Sequence, residues 1–538
     1  MQLPLFTLRR ASVLLLAALL IGLPFSANSL AQEETEAEAT DADAAGEQPE
    51  IDPEAAQKQG EEGLAEGDYD KAMTGFTQLR DWGLRNQYTQ QSGPAAVLLG
   101  YTGRARTLAK MQDYEAALQE FKTVFDASAD FGPARIARGE MYLEAGAPDR
   151  AFLDFQNAVK NDRNNMQALF GLGKASVLVG LYQQSITPLT RVIAAQEDNA
   201  EAYRLRGAAY ANVYKTPLAY EDLQKSISID PEGYEAYFTL GEVLFRDKKY
   251  EEAVEQFGNA IEHYKPKPGQ EDQPYLQGHL TKAMAYVELG KNVEDPAAKK
   301  AAYQNAVEET EKLLSQLDEN NPGHAVARSA TLHSRGVGER MLGDIGRAIR
   351  TFSEAIEINP ELSESYYRRG ICFHHLGENK MAIADFVQAA NMSLGDPRAN
   401  LWEGFTYAKM GDYHQALRAY SDAIAASDRY TPAYVNRGLA YMMLGEYEKA
   451  VNDFNEAIRL EPAVAEHYFK RGVAYEQLRD YEKAAGSFAS AIEFHDEHAG
   501  AYRHMASTMQ SLGRTELANQ YRQKANELAP AESQQQTQ

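Results

Sequence analysis

Tyr434–Pro462 reads YVNRGLAYMMLGEYEKAVNDFNEAIRLEP, and this stretch decides the fold. Apolar residues recur at helical spacing on both sides of Gly445-Glu446, and Pro462 stops the second run, which predicts two short helices joined by a tight turn. Val451, Phe454 and Ile458 share one face of the second helix. Gly438 sits inside the first helix, where glycine costs about 1 kcal/mol relative to alanine. A glycine there predicts a close helix–helix approach, with Phe454 filling the space it leaves.

The same pattern runs along most of the chain. An alanine, once a serine, marks the start of each second helix at Ala72, Ala117, Ala151, Ser185, Ala219 and Ala253, and again at Ala348, Ala382, Ala416, Ala450, Ala484 and Ala518. Within each run after Ala117 the spacing is 34 residues. Twelve residues earlier stands a small residue, Gly438 in the opening stretch, and four residues later a large apolar one, usually Phe. Glycines such as Gly67, Gly146, Gly343 and Gly445 fall between the two helices, where a left-handed cap is expected. Prolines at 231, 360, 462 and 530 close several units. A single hairpin of this kind cannot bury both faces, so neighbouring units must stack to make a core.

This register resembles the tetratricopeptide repeat family, over about residues 55–530. The resemblance implies an all-α, right-handed superhelical solenoid of about thirteen helix–turn–helix repeats, with a concave groove that binds segments of other proteins. Three departures stand out. The segment DWGLRNQYTQQSG adds 11 residues between Ala72 and Ala117. Residues 263–323 form an irregular unit with a loop at 264–274, a first helix at 275–290 and a long second helix at 296–317 whose phase the pattern does not fix. Arg522 replaces the apolar ring of the last unit, as suits a solvent-facing cap. The expected organisation is thus a first array at 55–262, the irregular unit at 263–323, a second array at 324–530 and a disordered polar tail at 531–538.

Arg9 and Arg10 precede an apolar run, Ala11 to Phe25, and Ser29 and Ala31 have the spacing of a signal-peptidase site. Residues 1–31 are therefore expected to be a signal peptide cleaved near Ala31, giving a periplasmic or extracellular protein; the alternative is an uncleaved membrane anchor. Residues 32–54 hold ten acidic residues and no basic one, and are expected to form a disordered linker. The net charge of −24 argues against nucleic-acid binding, which needs clustered Lys and Arg. It also disfavours adsorption to an anionic membrane surface. No later segment is expected to insert into a membrane.

An arginine precedes the small residue in seven units (Arg104, Arg138, Arg206, Arg335, Arg369, Arg437 and Arg471). Five of these units also carry an acid three residues after the alanine: Glu120, Asp154, Asp222, Asp385 and Asp453. This coupling predicts ion pairs within or between repeats, not a ladder for an acidic ligand. Arg335 and Arg471 lack the acid and are the better ligand candidates.

By the family resemblance, first-helix residues line the groove. In the later units these are His333/Val337, then Tyr367, Ile371, Leu401, Phe405, Val435, Leu439, Phe469 and Val473, the last eight being the candidate partner-binding residues. Such an apolar stripe suits a partner helix or extended segment; the competing reading is that it packs between repeats. The earlier units offer Ile136/Glu140, Phe170/Lys174, Arg204/Ala208 and Phe238/Glu242, alternating apolar with charged.

Histidines at 374, 375, 495, 498 and 504 lack metal-site spacing. Cys372, the single cysteine, stands where other units have alanine and reads as a packed residue. Neither a phosphate loop, a nucleophile elbow nor a dinucleotide fingerprint appears, and no catalytic residue, cofactor or metal site is assigned. The expected function is a non-enzymatic, exported scaffold that binds proteins or peptide segments. The alternative is a glycan- or peptide-binding accessory of an envelope enzyme.

Overall fold

Helices Thr431–Met443 and Tyr447–Leu460 form the pair expected from the opening stretch. Gly445 joins them in the left-handed region, with φ of 75°. A residue with a Cβ is disfavoured there, which explains the glycine. Four other pairs make the same turn with Gln112, Tyr214, Lys248 and Arg479, at φ between 59° and 64°.

The computed structural model describes residues 51–266 and 273–535. The expected signal peptide, nearly all of the acidic stretch, the middle of the 264–274 loop and the last three residues lie outside the described residues. Among those described are 26 α-helices in thirteen antiparallel pairs, one short 3-10 turn and no strand. The described residues divide into two compact units, one on each side of residues 269 and 270. The first holds six pairs, from Pro53–Glu66 to Tyr250–His263; the second holds seven, from Leu276–Asn292 to Thr515–Gln535.

Each pair is locked by its small residue. A Cβ placed on Gly438 would lie 2.8 Å from the Phe454 ring, and one on Gly472 2.4 Å from Phe488. The two helices therefore approach to a distance that only a missing side chain allows. Phe454 and Phe488 are fully buried, and burying each ring contributes roughly 1.5–3 kcal/mol. In the first unit, Phe155 fills Gly139 of its own pair and also meets Gly171 of the next, so one ring ties two repeats together.

The 11-residue insertion does not form a long loop. It lengthens Tyr69–Asn86 and Gly93–Lys110 to 18 residues each, against 14 and 13 in the opening pair. The irregular unit is a pair of long helices, Leu276–Asn292 and Pro296–Ser315. Tyr303 takes the place of the usual phenylalanine: a Cβ on Gly290 would lie 2.4 Å from its ring. The interval between glycine and ring is 13 residues instead of 16, which is why the repeat register cannot phase this helix. Buried His279 and Glu309 join the two helices at 2.6 Å, with Lys282 3.2 Å from the same carboxylate.

At the carboxyl end Arg522 is exposed, as a cap requires. The last helix, however, runs through Pro530 to Gln535, past the point where the sequence pattern places its end. The Ala-, Glu- and Gln-rich residues after Pro530 favour helix.

Candidate functional site

The arginine before the small residue is a structural clip. In all five repeats that carry the acid, the guanidinium Nε and Nη2 donate to the carboxylate of the same pair at 2.7 to 3.1 Å, joining Arg104–Glu120, Arg138–Asp154, Arg206–Asp222, Arg369–Asp385 and Arg437–Asp453. Nη1 reaches back to the preceding repeat in four of them, donating to Thr77, Thr190, Ser353 and Ser421. Each of these clips thus binds two helices of one repeat and one of its predecessor. The hydrogen bonds that Arg437 donates to Asp453 hold its guanidinium above its ordinary value against the effect of burial, as a charge-assisted fork should.

The two arginines without the acid are not free ligand groups. Arg335 donates to Glu339 at 3.0 Å and pairs with Glu311 at 3.0 Å, while Thr351, at the position of the missing acid, donates to Glu339. Arg471 donates to Ser487 and Asn455, which stand at the acid and hydroxyl positions. Both are spent on the framework, which corrects their reading as ligand candidates. The sequence pattern missed them because Glu339 lies on the first helix and the partners of Arg471 are neutral.

The apolar stripe of the second unit is divided by burial. Tyr367, Ile371 and Leu401 are 9 %, 5 % and 6 % exposed and belong to the core between repeats. Tyr367 lies beneath the Arg398 guanidinium, 5.0 Å from the ring centroid, and against Phe386. These three offer little surface to a partner. Phe405, Val435, Phe469 and Val473 are half-buried. Phe405 leans on Trp402 and Tyr420, and Phe469 on Phe488, His498 and His504. Leu439 is exposed, and so is Met443, one helical turn further on, at 63 %. Helix Thr431–Met443 therefore carries the accessible part of the stripe. Met443 escaped the sequence reading although its spacing of four from Leu439 places it on the same face.

The first unit presents a more polar face. Arg106 meets Glu61 at 2.6 Å, Gln167 donates to Glu140 at 2.8 Å, and Lys174 meets Glu201 at 2.8 Å. Glu242 is exposed at the surface of this unit.

The histidines make local contacts. His374 bonds Thr406, His498 pairs with Glu466 and His504 with Glu476. Cys372 is fully buried, and burial pushes its thiol up to about 11, far from the thiolate a nucleophile needs. No described helix is long and apolar enough to cross a membrane.

A family model described as a tetratricopeptide repeat matches residues 102–165, 218–271 and 404–454, and a second, described as a TPR repeat, matches 438–478. DnaJ homolog subfamily C member 3 of Gallus gallus is 24% identical over 191 residues, covering 33% of this chain and 38% of that protein. BBSome complex member BBS4 of Bos taurus is 25% identical over 257 residues, covering 47% of this chain and 46% of that protein. These matches span less than two thirds of either relative. Among solved structures, MamA is 24% identical over 33% of this chain and 95% of its own, with a TM-score of 0.30. The Cut9–Hcn1 hetero-tetramer of the APC/C is 16% identical over 84% and 96%, with a TM-score of 0.31.

Proposed function

Because the chain is a tetratricopeptide-repeat protein, we propose that it is a non-enzymatic scaffold that binds segments of partner proteins on its first-helix face. One observation carries the reading. Leu439 and Met443 lie exposed on one helix face, with half-buried Val435 on the same helix, whereas Tyr367, Ile371 and Leu401 of the same row are packed away. An exposed aliphatic helix face is what a partner helix or extended segment covers. Met443 adds an adaptable side chain that can fit partners of different shape.

Crosslinking followed by affinity capture tests this. The wild-type chain should retain one or more proteins, and Leu439→Asp should lose them without a change in thermal unfolding. Retention of polysaccharide in place of protein would favour a glycan-binding accessory. Equal capture by wild type and Leu439→Asp would remove this surface from the function.

We place this work outside the cytoplasm. The support is Arg9-Arg10, the apolar run Ala11–Phe25 and the Ser29/Ala31 pair. The mature amino terminus, read by mass spectrometry, should be Gln32; an intact terminus would favour the uncleaved anchor.

A further inference from the structure

The first unit contains a cleft of about 360 Å³ between the first helices of its first four repeats. Its polar wall is formed by Gln57, Glu61, Thr102, Arg106, Glu140 and Gln167. Its floor is apolar, with half-buried Leu99 above the core side chains Phe76, Leu79 and Ile136. The cleft is open because the row that carries Tyr367 and Leu401 in the second unit carries Gln57 and Thr102 here, with Gly103 also in the lining.

Charge decides what can enter. Arg106 and Glu61 neutralise one another at 2.6 Å. Glu140 is met by the Gln167 amide, which donates to one of its oxygens at 2.8 Å; that amide brings no charge. The wall is therefore left with one uncompensated carboxylate above an apolar floor, beside amides that can read a peptide backbone. We propose that this cleft binds an extended peptide segment through a lysine or arginine side chain that pairs with Glu140, while flanking apolar side chains rest on the floor. The volume lies at the lower end of that found for small-ligand sites, roughly 300–1,000 Å³, and suits two or three residues of such a segment. An acidic segment would face the uncompensated Glu140 carboxylate and is disfavoured by like charge. The site is separate from the Leu439 surface and takes a different class of side chain.

The probe is a fluorescein-labelled, end-blocked pentapeptide Gly-Leu-Lys-Leu-Gly titrated with the full chain and followed by anisotropy. Versions with norleucine or glutamate at the centre serve as comparisons. The lysine peptide should bind about tenfold more tightly than the norleucine peptide, the scale of one charge-assisted hydrogen bond. The glutamate peptide should bind more weakly than either. Glu140→Gln should abolish the preference for lysine, and Leu439→Asp should leave it intact. Equal binding of the lysine and norleucine peptides, no binding of any, tighter binding of the glutamate peptide, or a lysine preference that survives Glu140→Gln would each overturn the assignment. Loss of binding in Leu439→Asp would move the peptide to the other surface, with the same result.

Discussion

Arg437 and Asp453, sixteen residues apart on the two helices of one repeat, meet through two hydrogen bonds of 2.9 and 2.7 Å. The Asp453 side chain is 6 % exposed and that of Arg437 21 %. Removing one partner leaves the other charge largely out of water without a counter-ion, at a cost of about 3–5 kcal/mol. Arg437→Ala and Asp453→Ala should each lower the urea unfolding midpoint markedly. Arg437→Lys should recover little, because an ammonium cannot make the fork. A double variant Arg437→Leu/Asp453→Leu should be far less destabilised than the sum of the single losses.

Close packing at the glycine row gives a second test. Gly438→Ala sets a methyl group 2.8 Å from the Phe454 ring, and overpacking of this kind costs about 1–3 kcal/mol. Adding Phe454→Leu should restore part of the loss, since the smaller, flexible side chain can shift away from the added methyl. An unchanged unfolding midpoint in Gly438→Ala would show that the helices can separate freely.

The turns supply a test of opposite sign. Lys248 holds φ of 63° at the position where Gly445 holds 75°. The left-handed conformation costs an L-residue about 1–2 kcal/mol, partly offset by the greater unfolded-state freedom of glycine. Lys248→Gly should therefore raise stability by about 0.5 kcal/mol, and Gly445→Ala should lower it by about 1 kcal/mol. Thermal unfolding of both variants checks the pair of signs.

Glu403 stands where other repeats carry the clip arginine, and Ala419 stands where they carry the acid. Burial and the nearby Asp422 push its carboxyl up to about 7, with Arg418 opposing. The folded state therefore holds this proton more tightly than the unfolded chain does. The associated stability is fully present below about pH 4.5 and is lost as pH rises through about 7. Glu403→Gln should raise the melting temperature at pH 8 and change it little at pH 4. Equal shifts at both values would locate the effect elsewhere.

The sequence by itself determined the helix pairs, their glycine–ring contacts and the five arginine–acid clips. Each of these joins residues at a fixed short separation, and a repeat displays that separation many times over. It also marked the eight stripe residues as one row. Only the tertiary structure decided which of them meet water. The exposure of a side chain depends on neighbours about 34 residues away: Tyr367 is covered by Arg398 from the next repeat, while Leu439 remains exposed. The same holds for the clips beyond the pattern. Thr77, Ser353 and Ser421 complete theirs from the preceding repeat, and Glu339 serves Arg335 from a position outside the acid row. The open cleft beside Glu140 likewise arises from four first helices packed side by side. Local spacing fixes contacts along one hairpin; burial and open space belong to the stack.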